Sequence, residues 1–275
     1  MVIIYRWDEG RDDRVMNALS MPPQLRTPRC GYPQSMFFSL VIPFYNEEES
    51  IRMVLTEACA AMAALGCVHE VIAVDDGSSD GTLREAELLQ SDWPSLRILA
   101  FDENRGQAAA LLDGLHVARG QILITMDGDG QNDPADISRL LCTLKELNAD
   151  LVTGVRAKRR DSWLRRSMSK LANGVRQVFL HDGVSDSGCA LKVFRSNVCE
   201  AFIPIRTLYS FMPALAVAAG FRVNQLEVSH RERARGVSKY GLVVMLWRPL
   251  IDMFGVWWFA HRRFRFAKPV NILQR

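Results

Sequence analysis

Short apolar runs and helical patterns alternate along the middle of this chain, and that rhythm constrains the fold more than any other feature. FFSLVIP (37–43) reads as a strand, EEESIRMVLTEACAAMAAL as a helix stopped by Gly66, and HEVIAVDD as a second strand. SSDGTLREAELLQ opens a helix on a Ser/Asp cap, LRILAFD is a third strand, and GQAAALLDGLHVARG is a helix ending at Gly120. QILITMD, PADISRLLCTLKEL (with Pro134 in its first turn) and DLVTGVR continue as strand, helix and strand. This order predicts an α/β fold with a mostly parallel, Rossmann-like sheet and helices on both faces. The second half is less regular, with strands expected near Ala190–Phe194 and Phe221–Val228. The 275 residues, 48% of them apolar, suit one large domain or two small ones with a sizeable core.

The flanks differ from this body. Residues 1–35 include MPPQLRTPRCGYPQ, rich in proline and arginine and without a period. They read as a mobile or loosely draped extension, and Met36 is a second candidate start. The patterned domain is expected over 36–240 and an amphipathic tail over 241–275. No segment reaches the roughly 20 apolar residues of a membrane-spanning helix. The nearest, GLVVMLWRPLIDMFGVWWFAH, is interrupted by Arg248, Pro249 and Asp252. The six cysteines form no CxxC pair and read as reduced, mostly buried thiols of a cytosolic protein. A net charge of +3 does not by itself call for a nucleic-acid partner.

Several predicted strands end in polar clusters. The first ends PFYNEE, with Pro43, Tyr45 and Glu47; the second ends VDDGSSDGT, with Asp75, Asp76 and Asp80; the fourth ends MDGDGQND, with Asp127, Asp129 and Asp133. In an open parallel sheet these ends share one rim, and ligands bind there. Turn and cap chemistry accounts for Asp80 and Asp133. It does not account for acids at the last position of two different strands. Crowded carboxylates raise a pKa or recruit a cation. Around Asp127 and Asp129 only oxygen donors stand near, Gln131 among them, which suits Mg²⁺ or Mn²⁺ with substrate phosphates as further ligands. An EF-hand is excluded, because Asn132 and Ser138 stand where its loop needs glycine and an acid. GxxxxGK[ST] and a GxGxxG after the first strand are both absent, so kinase and dinucleotide readings drop. A nucleotide whose diphosphate is a leaving group remains.

LVIPFYNEEESI, VDDGSSDGT, ENRGQAAAL, DGDGQNDP and SDSGCALKVFR, in this order, resemble the family 2 glycosyltransferases of GT-A fold. The similarity runs from about Phe38 to Trp258 and is greatest to the dolichyl-phosphate mannose synthase type, which includes bacterial polyprenyl-phosphate sugar transferases. The resemblance implies that Pro43, Tyr45 and Glu47 hold base and ribose, and that Asp75 or Asp76 pairs with the base. Gly106 falls in the ENRGQ motif and belongs to the same donor-binding set. Asp127 and Asp129 match the metal-binding DxD, with Gln131 as the matching glutamine. Arg156 matches an arginine facing sugar and phosphates, and Ser187 and Gly188 match the acceptor-side turn. In RARGVSKY, Arg233, Ser238 and Lys239 match a mobile basic loop over the phosphates, with Gly236 as hinge.

The implied reaction is metal-dependent, inverting transfer of a sugar from a UDP- or GDP-linked donor to a polyprenyl phosphate at the cytoplasmic membrane face. An acceptor phosphate is already anionic, so no general base is required, while the ion, Arg233 and Lys239 stabilise the leaving diphosphate. RAKRRDSWLRRSMSKLANGVRQ is strongly basic and reads as a phosphate or anionic-lipid contact rather than a nucleic-acid surface. Trp257, Trp258, Phe259, Phe264 and Phe266 alternate with arginines in the tail, which suits a bilayer interface. A core helix is the competing reading. Such a tail would work by peripheral binding or beside a separate membrane-spanning partner, and a homo-oligomer is a further expected partner. Two rivals stand beside this reading. One is a soluble transferase acting on a saccharide hydroxyl, for which Asp182 and Asp186 are the nearby candidate bases. The other is a nucleotide-sugar-binding protein without turnover.

Overall fold

The computed structural model describes residues 31–156, 174, 176, 177, 179, 180, 182–231 and 242–262. Strands β1 (Phe37–Phe44), β2 (Val68–Asp75), β3 (Leu96–Ala100), β4 (Ile122–Thr125) and β5 (Leu151–Arg156) alternate with helices α1 (Ile51–Ala64), α2 (Thr82–Gln90), α3 (Gln107–Val117) and α4 (Asp136–Glu146). Then come β6 (Lys192–Arg195), a 3₁₀ turn (Ser196–Ala201), α5 (Leu208–Ala218), β7 (Val223–Val228) and α6 (Leu242–Arg262). The sheet order is β3-β2-β1-β4-β6-β5-β7. Every pairing is parallel except those of β6, which runs antiparallel to both β4 and β5. The expected mostly parallel sheet is therefore present, with one reversed strand inserted at its centre.

Both faces of the sheet are covered. Phe38, Leu40, Ile42 and Phe44 of β1 pack with α1 and α4, while Val41 joins Ile72, Leu111, Leu115 and Met212 on the other face. Successive strand side chains point to opposite faces. A strand buried on both faces must be apolar at nearly every position, which is why FFSLVIP reads as an unbroken run. Ser39 is the exception inside β1, fully buried. Its hydroxyl donates to Glu70 Oε1 at 2.6 Å and accepts from the Gly120 amide at 2.8 Å.

That same network ends α3 early. The Arg119 amide donates to Glu70 Oε1 at 2.7 Å, and a Cβ on Gly120 would stand 2.6 Å from the Ser39 amide nitrogen. These bonds pull Arg119 and Gly120 out of the helix that the sequence pattern extends to Gly120. α1 starts at Ile51 rather than Glu47; the preceding residues form a turn in which the Ser50 and Ile51 amides donate to the Glu47 carbonyl at 3.0 and 2.9 Å. Residues 31–35 lie against this domain, with Tyr32 edge-on to Phe38 and donating to the Leu141 carbonyl at 3.2 Å. Cys59, Cys67, Cys189 and Cys199 are free thiols, whereas Cys142 is disulfide-bonded, which corrects the expectation that every cysteine is reduced.

α6 packs on α5 through Met253 and Val256, both buried, with Phe259 partly buried beside them. Asp252 fixes the contact, accepting from the Thr207 hydroxyl at 2.6 Å and its amide at 3.2 Å. Ile251, Phe254 and Trp258 remain exposed on α6, and Phe254 stacks on Trp257 at 5.6 Å. One side of this helix docks as core and another stays apolar and exposed. Among the described residues no helix is long and apolar enough to cross a membrane.

Candidate active site

The acids gather where the sheet topology puts them, at the carboxyl ends of β1, β2 and β4. The ends of β1 and β2 are stitched into one rim. The Asn46 amide donates to Ser78 Oγ at 2.9 Å, and the Ser79 amide donates to Asn46 Oδ1 at 2.8 Å. Pro43 is buried in β1, Tyr45 stands exposed beyond it, and Glu47 accepts from the Ser50 hydroxyl at 2.8 Å. Asp80 accepts from the Thr82 amide at 3.0 Å and its hydroxyl at 2.5 Å, so it makes the turn that leads into α2, as turn chemistry predicts.

The two aspartates of VDD have different partners. Asp76 is buried, and its carboxylate accepts from the Asn104 side chain at 2.9 Å, the Arg105 amide at 2.9 Å and the Gly106 amide at 2.8 Å. It clamps the turn before α3, where Gly106 adopts φ 95° and so needs to be glycine. Asp75 is also buried, at 4% exposure, but only its Oδ2 is engaged, by the Ser78 amide at 3.3 Å. Its Oδ1 is buried with no hydrogen-bond partner. A buried carboxylate oxygen without a donor is costly, and its retention at a rim points to a ligand donor.

Asp127 and Asp129 flank Gly128 just past β4. A Cβ on Gly128 would lie 2.5 Å from the Phe44 ring, so the turn between the acids must be glycine. Asp127 is part-buried and accepts from Gln107 Nε2 at 2.6 Å. Burial and then the neighbouring Asp129 carboxylate push it up to about 6, against the opposing effects of Lys192, Arg156 and the Gln107 bond. Asp129 Oδ1 accepts from the Gln131 amide at 3.1 Å, so Gln131 follows the pair in the same turn. Among the described residues no group of three His, Cys, Asp or Glu could hold a metal by itself. Two carboxylates with an oxygen-only surround nonetheless fit a hard divalent ion whose remaining ligands come from phosphates and water. A cation there would offset both the burial and the neighbouring Asp129 charge that raise Asp127.

Beyond β5 and before β6 lies the other half of the site. Arg156 and Asp186 form a two-point ion pair, Nε to Oδ2 and Nη2 to Oδ1 at 2.8 Å each. Ser187 is buried next to it, and Gly188 leaves the space that the guanidinium fills. Arg176 and Asp182 make a second pair, Nη1 to Oδ2 at 2.6 Å, with side chains only 5% and 0% exposed. Burial lowers the Arg176 pKa and raises that of Asp182, each partly opposed by its partner. Arg176 therefore leaves the basic lipid-facing patch to which the sequence assigned it. The other cations of that segment from Lys158 to Lys170 lie outside the described residues.

Sequence reasoning missed two groups here. Lys192 is a fully buried ammonium within β6 that donates to the Cys189 carbonyl. Burial lowers its pKa, opposed by Cys189, Asp127 and Asp186. Arg231 reaches back to the acid turn, with its amide on the Gln131 carbonyl at 2.9 Å and its guanidinium on Glu57 at 2.6 Å and Asp133 at 3.0 Å. Arg231 thus stands beside the acid turn. Arg233, Ser238 and Lys239, assigned to the basic loop, lie outside the described residues. A cavity of about 130 Å³ between Tyr32, Phe38, Leu65 and Cys67 sits at the opposite end of β1 and holds no acid. The chemistry is at the rim, where Pro43, Gln107, Asp127, Lys192 and Tyr209 line a narrower cleft.

Residues 39–202 match the family described as Glycosyl transferase family 2. The undecaprenyl-phosphate 4-deoxy-4-formamido-L-arabinose transferase of Edwardsiella ictaluri is 38% identical over 214 residues. That match covers 76% of this chain but 65% of the relative, so the chain spans slightly less than two thirds of that protein. The dodecaprenyl-phosphate galacturonate synthase of Rhizobium johnstonii is 36% identical over 236 residues, covering 84% of this chain and 70% of the relative. A mannosyltransferase from Pyrobaculum calidifontis, solved with GDP-Man and Mn²⁺, superposes with TM-score 0.62 at 20% identity, covering 90% of this chain and 69% of that one. Glucosyl-3-phosphoglycerate synthase from Mycobacterium tuberculosis, solved with Mn²⁺, UDP and phosphoglyceric acid, gives 0.61 at 18% identity, covering 80% and 77%. The architecture is thus the GT-A type.

Proposed function

The chain belongs to glycosyl transferase family 2, and on that premise we propose that it moves a sugar from a nucleotide donor to a polyprenyl phosphate, with inversion at the anomeric carbon. The observation that carries this reading is the open Oδ1 of buried Asp75 on the same rim as the acid pair Asp127 and Asp129. A nucleobase N–H would satisfy that oxygen, and the diphosphate would then extend along the rim toward the acids. The two relatives that span most of the chain are named for polyprenyl-phosphate acceptors.

Pro43, Tyr45 and Glu47 would hold base and ribose with Asp75, while Asp76 and Gly106 shape the turn beneath them. Asp127, Asp129 and Gln131 would hold Mg²⁺ or Mn²⁺. The ion when bound supplies positive charge to the diphosphate as it departs. Arg156, set by the acceptor-side turn at Ser187 and Gly188, would face sugar and phosphates, joined by Arg233, Ser238 and Lys239. Exposed Ile251, Phe254 and Trp258, with the arginines that follow in sequence, favour a peripheral position on the inner membrane face. A sugar hydroxyl as acceptor is disfavoured, because it needs a free carboxylate base.

Nucleotide release tests the proposal. The purified protein is offered UDP- and GDP-sugars with Mn²⁺ or Mg²⁺, with and without undecaprenyl phosphate, and then with a chelator. Release that needs both lipid phosphate and metal is expected, and Asp129→Ala should lower it by at least about 10²-fold while the protein stays folded. Release without lipid, or full activity of the variant, would overturn the reading.

A further inference from the structure

Asp186 is the carboxylate that a hydroxyl-directed mechanism would use as base, and its surroundings give it another task. An ionised carboxylate offers about four lone-pair sites. At Asp186 four N–H donors meet them. Oδ2 accepts from Arg156 Nε at 2.8 Å and from the Arg156 amide at 3.2 Å. Oδ1 accepts from Arg156 Nη2 at 2.8 Å and from the Gly188 amide at 3.2 Å. No lone pair is left to receive a proton from an acceptor.

The turn that carries Asp186 is itself braced from several sides. The Ser185 amide and hydroxyl both donate to Gln225 Oε1 of β7 at 2.8 Å. Asp182 accepts from Arg176 and from the Val184 amide at 3.0 Å, and Arg176 and Gln177 both reach the Val184 carbonyl. Lys192 of β6 holds the Cys189 carbonyl. Among the described residues, the charged groups facing Asp186 include Arg156 from β5, Lys192 from β6 and Arg176 from the preceding helical residues. Asp182, the other candidate base, has a side chain with 0% exposure and cannot reach an acceptor.

A two-point carboxylate–guanidinium pair fixes the guanidinium plane as well as its position. The Arg156 side chain keeps 19% exposure, and its charge acts on Asp127. We propose that Asp186 is a positioning residue that sets the plane of Arg156, not a base. This rests on the sugar-transfer reading above.

The step balances without a proton. An acceptor phosphate oxygen bonds to the anomeric carbon while the bond from that carbon to the diphosphate oxygen breaks, and the electron pair leaves with the diphosphate. The acceptor changes from dianion to monoanionic diester, and the nucleoside diphosphate departs with one more negative charge.

A double-mutant cycle on the full chain tests this, with undecaprenyl phosphate as acceptor and the donor found by the release screen. Asp186→Asn should lower kcat by about 10²-fold, the order that misplacement of an orienting group costs. In the Arg156→Met background the same change should cost less than about 2-fold, because its only route of action is gone. The acid limb of the pH–rate profile should be the same in Asp186→Asn and wild type. Arg156→Lys, which keeps charge but loses the fork, should lose activity to a similar degree. A further 10-fold or larger loss from Asp186→Asn without Arg156, a vanished acid limb, or full activity of Arg156→Lys would overturn the positioning role while sugar transfer to lipid phosphate stands. Turnover of a saccharide hydroxyl alone, or of neither acceptor, would overturn both.

Discussion

The Arg156 guanidinium lies directly against Gly188, so that a Cβ there would stand 2.8 Å from Nη2. The arginine cannot retreat without breaking its fork to Asp186. Gly188→Ala should therefore leave the melting temperature within a few degrees of wild type while cutting turnover by roughly 10-fold or more. Thermal melts and nucleotide release on the same preparation check it. An unchanged rate would mean that the guanidinium plane does not matter.

Asp75 and Asp76 are adjacent and both buried, yet they should fail in opposite ways. Asp76→Ala strips the acceptor from the Asn104, Arg105 and Gly106 donors and should cost roughly 1–3 kcal/mol of stability. Asp75→Ala removes one oxygen that has no partner and one held only by the long Ser78 amide bond at 3.3 Å, and should cost little. It should instead weaken binding of UDP or GDP, measured by calorimetry with Mn²⁺. Equal stability losses in the two variants would contradict the assignment.

Asp127 gives the metal-free protein a pH dependence with a defined sign. Its folded-state value, about 6, lies above the ordinary 3.8, so between those values the folded chain holds the proton that the unfolded chain releases. Stability from this group is full at low pH and is lost as pH rises through that window, by roughly 3 kcal/mol at about 1.36 kcal/mol per pH unit. In a chelator, Asp127→Asn should melt progressively higher than wild type from pH 4 to pH 6.5. Added Mn²⁺ should raise the wild-type melting temperature and leave the variant's nearly unmoved. Parallel pH curves for the two proteins would remove the claim.

α6 offers a contrast within one helix. Phe254→Asp with Trp258→Asp should reduce co-sedimentation with phosphatidylglycerol vesicles by about 10-fold or more, with little effect on folding, because both side chains are exposed. Met253→Asp, on the docked side, should unfold the α5–α6 contact instead. Undiminished vesicle binding by the double variant would show that this face does not meet the bilayer.

Much of this molecule was legible in its sequence because the physics is local. A strand buried on both faces has to be a continuous apolar run, and β1, β2 and β5 were read from that alone. The acid rim was legible because Asp75 and Asp127 stand where a parallel strand should stay apolar. What escaped was set by distant partners. KVFR carries no sign that β6 runs backwards, since direction is fixed by the neighbours that accept its hydrogen bonds. A lysine inside a strand reads as a solvent-facing residue, yet Lys192 is buried because the Cys189 carbonyl and nearby carboxylates receive its charge. The pairing of Arg156 with Asp186 joins residues 30 positions apart, and nothing near either one announces the other. Asp75 and Asp76 differ only through Asn104–Gly106, which the sequence places a whole strand away.

The reversed β6 also dictates when the site can come into being. β1, β2, β3 and β4 pair with one another and are complete once residue 125 has been made. β5 has no neighbour among them: it is held by β6 on one side and β7 on the other. During synthesis the donor half can therefore close first, while Arg156 at the tip of β5 waits for strands that are made some 40 to 70 residues later. Contacts of such long sequence separation form late and slowly. A nascent chain would thus hold a finished β1–β4 rim well before it holds Arg156 in place, and the two halves of the proposed site would meet only when the backward strand slides between β4 and β5.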